Sequence, residues 1–323
     1  MDASAVDEFI ERVRGLRQRE ELDAAAVAVL DAFESTAVRS LLLKGPALAR
    51  LLYAEDEHRG YSDIDLLVPP DDLAGARKAL TDLGYTKGGA QFGIDDVAGI
   101  QHSEIWAQRG ETGPLWIDLH WTLGGCEATG QAVWDALTRA RISIEVGGRD
   151  VAVLGHGGLA FHLAVHAAQH GPSDRKAMAD LARGLERWGI EIWRPAAAIA
   201  DQTEATSTFA AGLRLLPAGA GMASELGLPQ AKGMEWEILH RQSRPRGTFH
   251  LKAFAEARGL RARANLLRRS LVPTRQWITW EIPWASKGRL RLFAAYAWHI
   301  LRSPAWAFRA WRFRRDVRRA RSA

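Results

Sequence analysis

The tripeptide Asp63-Ile64-Asp65 carries the strongest chemical signal in the sequence. It opens a short apolar run that predicts a β-strand, and residues two apart on a strand project from the same face. The two carboxylates should therefore face one side of a sheet, while Ile64 and Leu66 face the core. Two neighbouring negative charges repel each other, and a divalent cation such as Mg²⁺ or Mn²⁺ between the carboxylate oxygens removes that repulsion. A pair of acids on an exposed sheet face would explain the same tripeptide.

A third acid, Asp118, stands inside an otherwise apolar segment at 115–121 that also predicts a strand. Burying an unpaired carboxylate there would be costly, so Asp118 needs a cation. If its strand lies beside that of Asp63 and Asp65, three carboxylates converge on a site for two metal ions, which activate an attacking oxygen and stabilise a leaving one. His120 shares the face of Asp118. It would lie behind the metal ligands or pack as an ordinary hydrogen-bonded histidine.

Lys44 and Gly45 stand between a predicted strand at 40–43 and a predicted helix at 47–53. Glycine permits close approach of the backbone to a phosphate, and the start of a helix offers unpaired N–H groups. Lys44 adds a positive charge to this turn. The segment lacks the spacing and the Ser/Thr of a Walker motif, which excludes a P-loop.

Three histidines, His162, His166 and His170, are spaced four residues apart and therefore share one face of a predicted helix. They could contact a metal ion, a nucleotide or an acceptor, and Asp180 in the following predicted helix could orient one ring. A helix face that packs on the sheet and is hydrogen-bonded there is the interpretation we favour. Leu163 replaces the glutamate of the His-Glu-x-x-His motif, which excludes a zinc peptidase.

Helical and strand signals alternate around these residues. Apolar positions up to Val38 predict two amphipathic helices. Further predicted elements are a helix at 72–83, a hairpin of strands at 100–107 and 115–121, and a second hairpin at 142–146 and 151–154. From Gly157 to about Leu226 the pattern is helical. We therefore expect an α+β fold in which a small mixed β-sheet is flanked by helices and followed by a helical region.

Charge is distributed unevenly along the chain. The formal net charge is +5, yet the segment from Arg241 to the end has 21 Lys/Arg and 3 Asp/Glu. Tryptophans accompany these arginines: Trp277, Trp280, Trp284, Trp298, Trp306 and Trp311. This composition favours an anionic partner, namely nucleic acid, an anionic membrane surface or an acidic face of another protein. The alternative is a solvated basic segment that partly neutralises the acidic remainder of the chain.

Cys126 is the only cysteine, which excludes an internal disulfide and a zinc site built from thiolates. The segment 1–8 is acidic and lacks the regions of a signal peptide. No apolar run approaches the roughly 20 residues that a membrane-spanning helix needs. The apolar stretch at 292–301 is too short to span, and Pro304 should break its pattern. We expect a cytoplasmic protein, either free or peripheral to the membrane.

In this order, the motifs resemble the polymerase-β-like nucleotidyltransferase superfamily: a strand, a glycine turn and a helix, then an Asp-x-Asp strand, then a third acid on a later strand. More closely, the sequence resembles a family of mostly uncharacterised bacterial nucleotidyltransferases with Lys-Gly at the turn. That resemblance covers roughly residues 38–185 and rests on the segments 43–45, 63–68, 83–85, 117–121 and 153–154, on Arg59, and on the three histidines.

The resemblance implies transfer of a nucleoside monophosphate from an NTP to an unknown acceptor, with release of pyrophosphate. Asp63, Asp65 and Asp118 would be the catalytic residues and the ligands of Mg²⁺ or Mn²⁺, and Lys44 and Gly45 would bind the nucleotide. His120, His162 and His166 would surround this site.

One residue departs from the superfamily pattern. Pro46 follows Gly45, which removes a backbone N–H and the hydroxyl that would contact phosphate. We therefore assign triphosphate binding to Arg59, which lies just before the Asp-x-Asp strand. Pairing of Arg59 with a loop acid is the alternative.

The predicted domains are N-terminal helices at 1–38, a nucleotidyltransferase core at 39–155, a helical domain at 156–228 and a basic C-terminal helical extension at 229–323. A second hypothesis is a catalytically silent nucleotide- or protein-binding module. In a third, the basic tail attaches the protein to an anionic surface.

Overall fold

The computed structural model describes residues 3–54, 57, 59–87, 102–239, 251, 254–255, 257, 259–273, 275, 278–279 and 282–322. The described residues up to 230 form one compact unit, and those from 231 onward form a second. Residues 100 and 101 of the predicted hairpin, and Trp277 and Trp280, lie outside the described residues. The predicted domain boundaries stay a prediction.

The first unit is built on a mixed sheet of seven strands: β1 Leu41–Leu42, β2 Asp63–Leu67, β3 Thr86–Lys87, β4 Ser103–Arg109, β5 Pro114–His120, β6 Ile142–Val146 and β7 Arg149–Val153. Their order across the sheet is β3-β4-β5-β2-β1-β7-β6. The β4–β5 and β6–β7 hairpins confirm the two predicted from the sequence. Strand β3 was not predicted, since two residues are too short for a periodic signal.

Two parallel pairings place strands that are distant in sequence next to each other at the centre of the sheet. Strand β1 pairs with β7, and β2 pairs with β5. The register of the second pair sets Asp65 opposite Asp118. The strand of Asp118 therefore lies beside the strand of Asp63 and Asp65, as the predicted convergence of the carboxylates required.

Twelve helices are described: α1 Ala3–Ser35, α2 Pro46–Leu51, α3 Leu73–Asp82, α4 Gly130–Thr138, α5 His156–His170, α6 Arg175–Arg187, α7 Ile190–Gln202, α8 Thr206–Leu213, α9 Pro217–Glu225, α10 Lys232–Leu239, α11 Leu260–Leu271 and α12 Arg289–Ser322. The prediction of two N-terminal helices is wrong, because α1 is continuous. The segment between the two predicted helices, at 17–21, contains only arginine, glutamine and glutamate, which are good helix formers.

Alternating residues of the central strands fill two cores, one on each face of the sheet. Leu41 and Leu43 pack with α5, α7 and α8, whereas Leu42 packs on the opposite face with α1 and α3. Ile64 and Leu66 also belong to this second core and are fully buried, as predicted. Burying each such side chain contributes about 2 kcal/mol. These two cores fix the strands that carry the aspartates.

The second unit contains α10, α11 and α12, and α10 packs against α12. Pro304 lies inside α12, so the expectation that it breaks the pattern is wrong. Buried residues precede and follow it in the same helix, His299 on one side and Ala310 on the other. No helix among the described residues combines the length and apolar character needed to cross a bilayer. The α+β fold, with its mixed sheet and C-terminal helix, is confirmed.

Candidate active site

Asp65 and Asp118 face each other across the parallel strands β2 and β5. Asp65 is fully buried, and the Asp118 side chain is 28% exposed. Strand alternation turns Asp65 to the side of Leu67, the face covered by α5, because Ile64 and Leu66 occupy the other face. The site therefore lies at the centre of the sheet, between the strands and the helical layer.

Two cations compensate this pair of carboxylates. The Lys44 Nζ lies 2.9 Å from Asp65 Oδ1. The His120 Nε2 lies 3.4 Å from the same oxygen and 3.2 Å from Asp118 Oδ2. Burial alone would lower the pKa of His120, but Asp118 and Asp65 raise it to about 9. The imidazole is therefore protonated at neutral pH and bridges the two acids.

The same charges set the pKa values of the acids and of the lysine. Burial would raise the pKa of Asp65, but its bonds to His120 and Lys44 hold it well below the usual value. Burial would likewise raise the pKa of Asp118, but the charge and hydrogen bond of His120 lower it. Burial would lower the pKa of Lys44, whereas Asp65 and Asp63 raise it. All four groups are thus charged at neutral pH.

Three polar atoms of this cluster lack a hydrogen-bond partner among the described residues: Asp65 Oδ2, Asp118 Oδ1 and His120 Nδ1. One ligand atom from each of these three residues lies within 4.8 Å of the others. Unpaired buried oxygens are costly, and the two carboxylates suit Mg²⁺ or Mn²⁺, whereas an imidazole is more often a ligand of Zn²⁺ or iron. The residues therefore fit a divalent cation.

Asp63 lies at the start of β2 and is partly buried. Burial and the neighbouring charge of Asp65 raise its pKa. It does not belong to the three-residue cluster that the described part of the chain forms around Asp65. From the sequence, Asp63 and Asp65 were predicted to be equivalent metal ligands. In the structure, Asp65 is instead the neighbour of Asp118 on the paired strand, and Asp63 lies outside their cluster.

The Lys44–Gly45 turn is as the sequence predicted, with Pro46 as the first residue of α2. Gly45 has φ 66° and ψ −108°, a conformation that a side chain would strain. A Cβ atom there would lie 3.4 Å from the Asp63 carbonyl oxygen. Proline is tolerated at this helix position, because its N–H would lack an intrahelical partner.

Arg59 is buried and forms a two-pronged ion pair with Asp180 on α6. Its Nε and Nη2 donate to the two carboxylate oxygens over 2.8 and 2.6 Å, and its Nη1 donates to the Gly45 carbonyl over 3.4 Å. The Tyr53 hydroxyl donates to Asp180 over 2.6 Å. Asp180 therefore holds Arg59 in place. The sequence had suggested that Asp180 could orient a histidine instead. The partner of Arg59 is a helix residue and not the predicted loop acid.

Helix α5 brings its three histidines to a small cavity beside this cluster. His162 is buried, and burial together with the charge of Lys44 lowers its pKa to about 3. The pKa of His166 is also lowered well below its usual value, first by burial. Both rings are therefore neutral. They line a small cavity together with Lys44, His102, Asp118, His120 and His170.

Two residues near the site were missed by the sequence. His102 precedes β4, and its ring centroid lies 5.9 Å from that of His120. Lys176, in the first turn of α6, interacts electrostatically with Arg59 and Asp63. Partial desolvation and then Arg59 lower its pKa. Neither residue belongs to a motif, and only the fold brings His102 near His120 and Lys176 near Asp63.

Comparison with known proteins gives the family of the chain. The sequence model of a family described as uncharacterised nucleotidyltransferase matches residues 4–218. No curated protein matches the chain.

Solved structures show weaker similarity. The solution structure of the antibiotic-resistance factor ANT(2'')-Ia is 17% identical, with a TM-score of 0.40 over 57% of this chain and 93% of that one. The crystal structure of ANT(2'')-Ia with adenylyl-2''-tobramycin is 17% identical, with a TM-score of 0.39 over 56% and 97%. An antigenic nucleotidyltransferase-like protein from Paracoccidioides brasiliensis is 14% identical, with a TM-score of 0.36 over 65% and 94%.

Proposed function

Because the chain belongs to the family of uncharacterised nucleotidyltransferases, we propose that it transfers the nucleoside monophosphate group of an NTP to an acceptor in a reaction that needs a divalent cation. The observation that carries this proposal is that Asp65 and Asp118, neighbours on paired parallel strands, each have a buried oxygen without a hydrogen-bond partner among the described residues. Such a pair is costly unless the site receives a cation.

In the proposed reaction, an acceptor oxygen forms a bond to the α-phosphorus of the NTP. The bond from that phosphorus to the bridging oxygen of the β-phosphate breaks, and pyrophosphate leaves. The acceptor proton would pass to the carboxylate of Asp118, which belongs to the cluster with Asp65 and His120. Asp118 would thus serve as the base.

Asp65, Asp118 and His120 would hold Mg²⁺ or Mn²⁺, with Asp63 adding negative charge at the edge of the site. A bound cation would lower the pKa of the acceptor and neutralise charge on the phosphates. Cation binding competes with the proton on His120, because a ligating imidazole must be neutral.

Lys44 and Lys176 are the residues we assign to the triphosphate. Both interact electrostatically with Asp63 at the start of β2, and their positive charges suit a triphosphate bound beside it. Partial desolvation and Arg59 destabilise the charge of Lys176, and an anion beside it would relieve that effect. We propose that Arg59 positions the Lys44–Gly45 turn through the Gly45 carbonyl. Direct contact of Arg59 with a phosphate stays a prediction.

A catalytically silent binding module is the second candidate. The ammonium of Lys44 lies 2.9 Å from Asp65 and partly neutralises its carboxylate, as a metal ion would. A protein of this kind would bind a nucleotide but would never release pyrophosphate. The two candidates therefore differ in one measurable product.

The experiment is calorimetric titration of each NTP in the presence and absence of Mg²⁺, followed by chromatography for NMP and pyrophosphate with water as the acceptor. The variants are Asp65→Asn and, as a matched control, Asp82→Asn, an exposed acid on α3. We expect binding that depends on Mg²⁺ in the wild type and the control, and loss of that binding in Asp65→Asn.

Slow formation of NMP and pyrophosphate by the wild type would support the transferase. Tight binding without either product, even after long incubation, would favour the silent module. If no NTP binds the wild type, both candidates fail.

A further inference from the structure

Helix α12 has a row of exposed apolar side chains along most of its length. Seven large residues are at least 42% exposed: Leu290, Phe293, Trp298, Ile300, Leu301, Phe308 and Trp311. With 3.6 residues per turn, Leu290, Leu301 and Phe308 project in nearly the same direction. Phe293 and Trp311 lie on one side of that line, and Trp298 lies on the other.

The opposite side of α12 is also apolar, but it is buried in the second unit. Ala295, Ala310, Phe313 and Val317 are at most 7% exposed and follow one another at intervals typical of a helix face. Trp236 of α10 contacts Phe313, with ring centroids 5.3 Å apart. The exposed face is therefore not the face that holds the helix in place.

Arginines border the exposed apolar face and continue it. Arg291, Arg302 and Arg309 form a row along one edge, and Arg312 extends the face beyond its apolar part. The guanidinium of Arg302 lies 5.0 Å from the Trp298 ring centroid. An indole beside a guanidinium at the edge of an apolar face is the arrangement that interfacial helices present to lipid headgroups.

Helix α11 repeats this combination on a smaller scale. Leu260 is 85% exposed and Leu267 is 51% exposed, and Arg261, Arg263 and Arg268 are exposed on the same helix. Two helices of the second unit thus display large apolar side chains among arginines. The whole segment from Arg241 has seven times as many basic as acidic residues, 21 against 3.

We infer that α12 is a peripheral membrane-docking helix, which lies in the plane of an anionic lipid surface with its exposed apolar face in the headgroup–acyl boundary and its arginines on lipid phosphates. The apolar part from Leu290 to Trp311 covers about 33 Å of helix, enough to lie along the surface.

Two other occupants fit this face less well. Nucleic acid would meet aliphatic side chains such as Leu290, Ile300 and Leu301, which neither stack on bases nor contact phosphates. A second copy of the face would bring the bordering arginines of two chains together, where they repel. An anionic lipid surface satisfies the apolar centre and the basic border at once.

The test is co-sedimentation of the full chain with vesicles of phosphatidylcholine alone or mixed with phosphatidylglycerol, at low and high salt. The test variant is Leu301→Ser/Phe308→Ser, at positions 76% and 58% exposed. The matched control is Leu16→Ser/Leu239→Ser, which alters two exposed leucines outside α12, at 44% and 58%. Circular dichroism and the urea midpoint verify that both variants fold.

We expect the wild type to bind the anionic vesicles, and this binding should weaken as the salt concentration rises. Binding to vesicles of phosphatidylcholine alone should be at least about tenfold weaker. The test variant should lose about tenfold in partitioning for each side chain, about a hundredfold in all, while the control binds as the wild type does. Arg302→Gln/Arg309→Gln should reduce binding to the anionic vesicles alone.

The inference is overturned if the wild type stays in solution with anionic vesicles, or if Leu301→Ser/Phe308→Ser binds them as well as the control. It is also overturned if sedimentation velocity shows a dimer that this variant dissolves, since the face then binds a second copy. RNA binding that exceeds vesicle binding and survives in this variant would overturn it as well.

Discussion

The buried ion pair between Arg59 and Asp180 supports a quantitative prediction. Both side chains are at most 6% exposed, and two hydrogen bonds of 2.8 and 2.6 Å join them. Changing Asp180 to Asn removes the negative charge but keeps an oxygen for the Tyr53 hydroxyl. The guanidinium of Arg59 is then left buried without its counter-charge, which costs about 3–5 kcal/mol.

The assay is urea denaturation at 25 °C and neutral pH for the four members of a double-mutant cycle: wild type, Asp180→Asn, Arg59→Met and Arg59→Met/Asp180→Asn. Arg59→Met should also destabilise the fold, because it strands the carboxylate of Asp180. The double variant has neither buried charge, so it should be more stable than either single variant, with a coupling free energy of at least about 2 kcal/mol.

Additive effects in the cycle, or a loss below about 1 kcal/mol in each single variant, would refute this argument. Such a result would mean that solvent reaches the pair. It would also remove the reason for regarding Arg59 as the residue that positions the Lys44–Gly45 turn.

Three further predictions concern single residues. Gly45→Ala should lower the free energy of unfolding by at least about 1–2 kcal/mol, because the φ of Gly45 is 66°. Gly221→Ala is the control: Gly221 lies in a helix with no atom within 4 Å of an added Cβ, so this change should be neutral or stabilising. Equal changes of the melting temperature in the two variants would contradict the prediction. The pKa of His162 is lowered from 6.5 to about 3 in the folded protein. The contribution of His162 to the free energy of unfolding is therefore complete above pH 6.5, and it falls by about 1.4 kcal/mol per pH unit as the pH falls toward 3. The difference between wild type and His162→Gln in the pH dependence of the free energy of unfolding measures this loss. Burial raises the pKa of Cys126 from 9.0 to about 11, so alkylation at pH 8 should be about a hundredfold slower in the native protein than in urea, and equal rates would show an accessible thiol.

The sequence predicted the parts of the site that depend on local pattern. Strand alternation placed Ile64 and Leu66 in the core and turned Asp65 to the other face, and an acid inside an apolar strand pointed to Asp118. The Lys44–Gly45 turn follows from a glycine between a strand and a helix. Each of these inferences uses residues only a few positions apart, which is the range over which backbone geometry is regular.

The rest depends on contacts between distant segments, which one sequence does not specify. Arg59 and Asp180 are 121 residues apart in the chain, so the partner of Arg59 could not be deduced. His120 acts as a protonated bridge only because β5 lies beside β2, and Lys176 lies near Asp63 only because α6 packs against α5.

The tail illustrates a different limit of sequence analysis. Helix α12 is apolar on two opposite faces, one exposed near Leu301 and one buried near Ala310. Opposite faces cancel in an amphipathicity analysis, so the scatter of Trp306, Phe308, Trp311 and Phe313 among arginines showed no clear direction. Burial, which only the structure provides, separates the two faces.

The central claim is that Asp65 and Asp118 hold a divalent cation, and the most direct measurement is Mn²⁺ binding followed by electron paramagnetic resonance in wild type and Asp118→Asn. We predict a bound Mn²⁺ population in the wild type that Mg²⁺ displaces, and at least about tenfold weaker binding in the variant, because the amide of asparagine carries no negative charge to hold the cation. Equal Mn²⁺ binding by the two proteins, or none by the wild type, would contradict it.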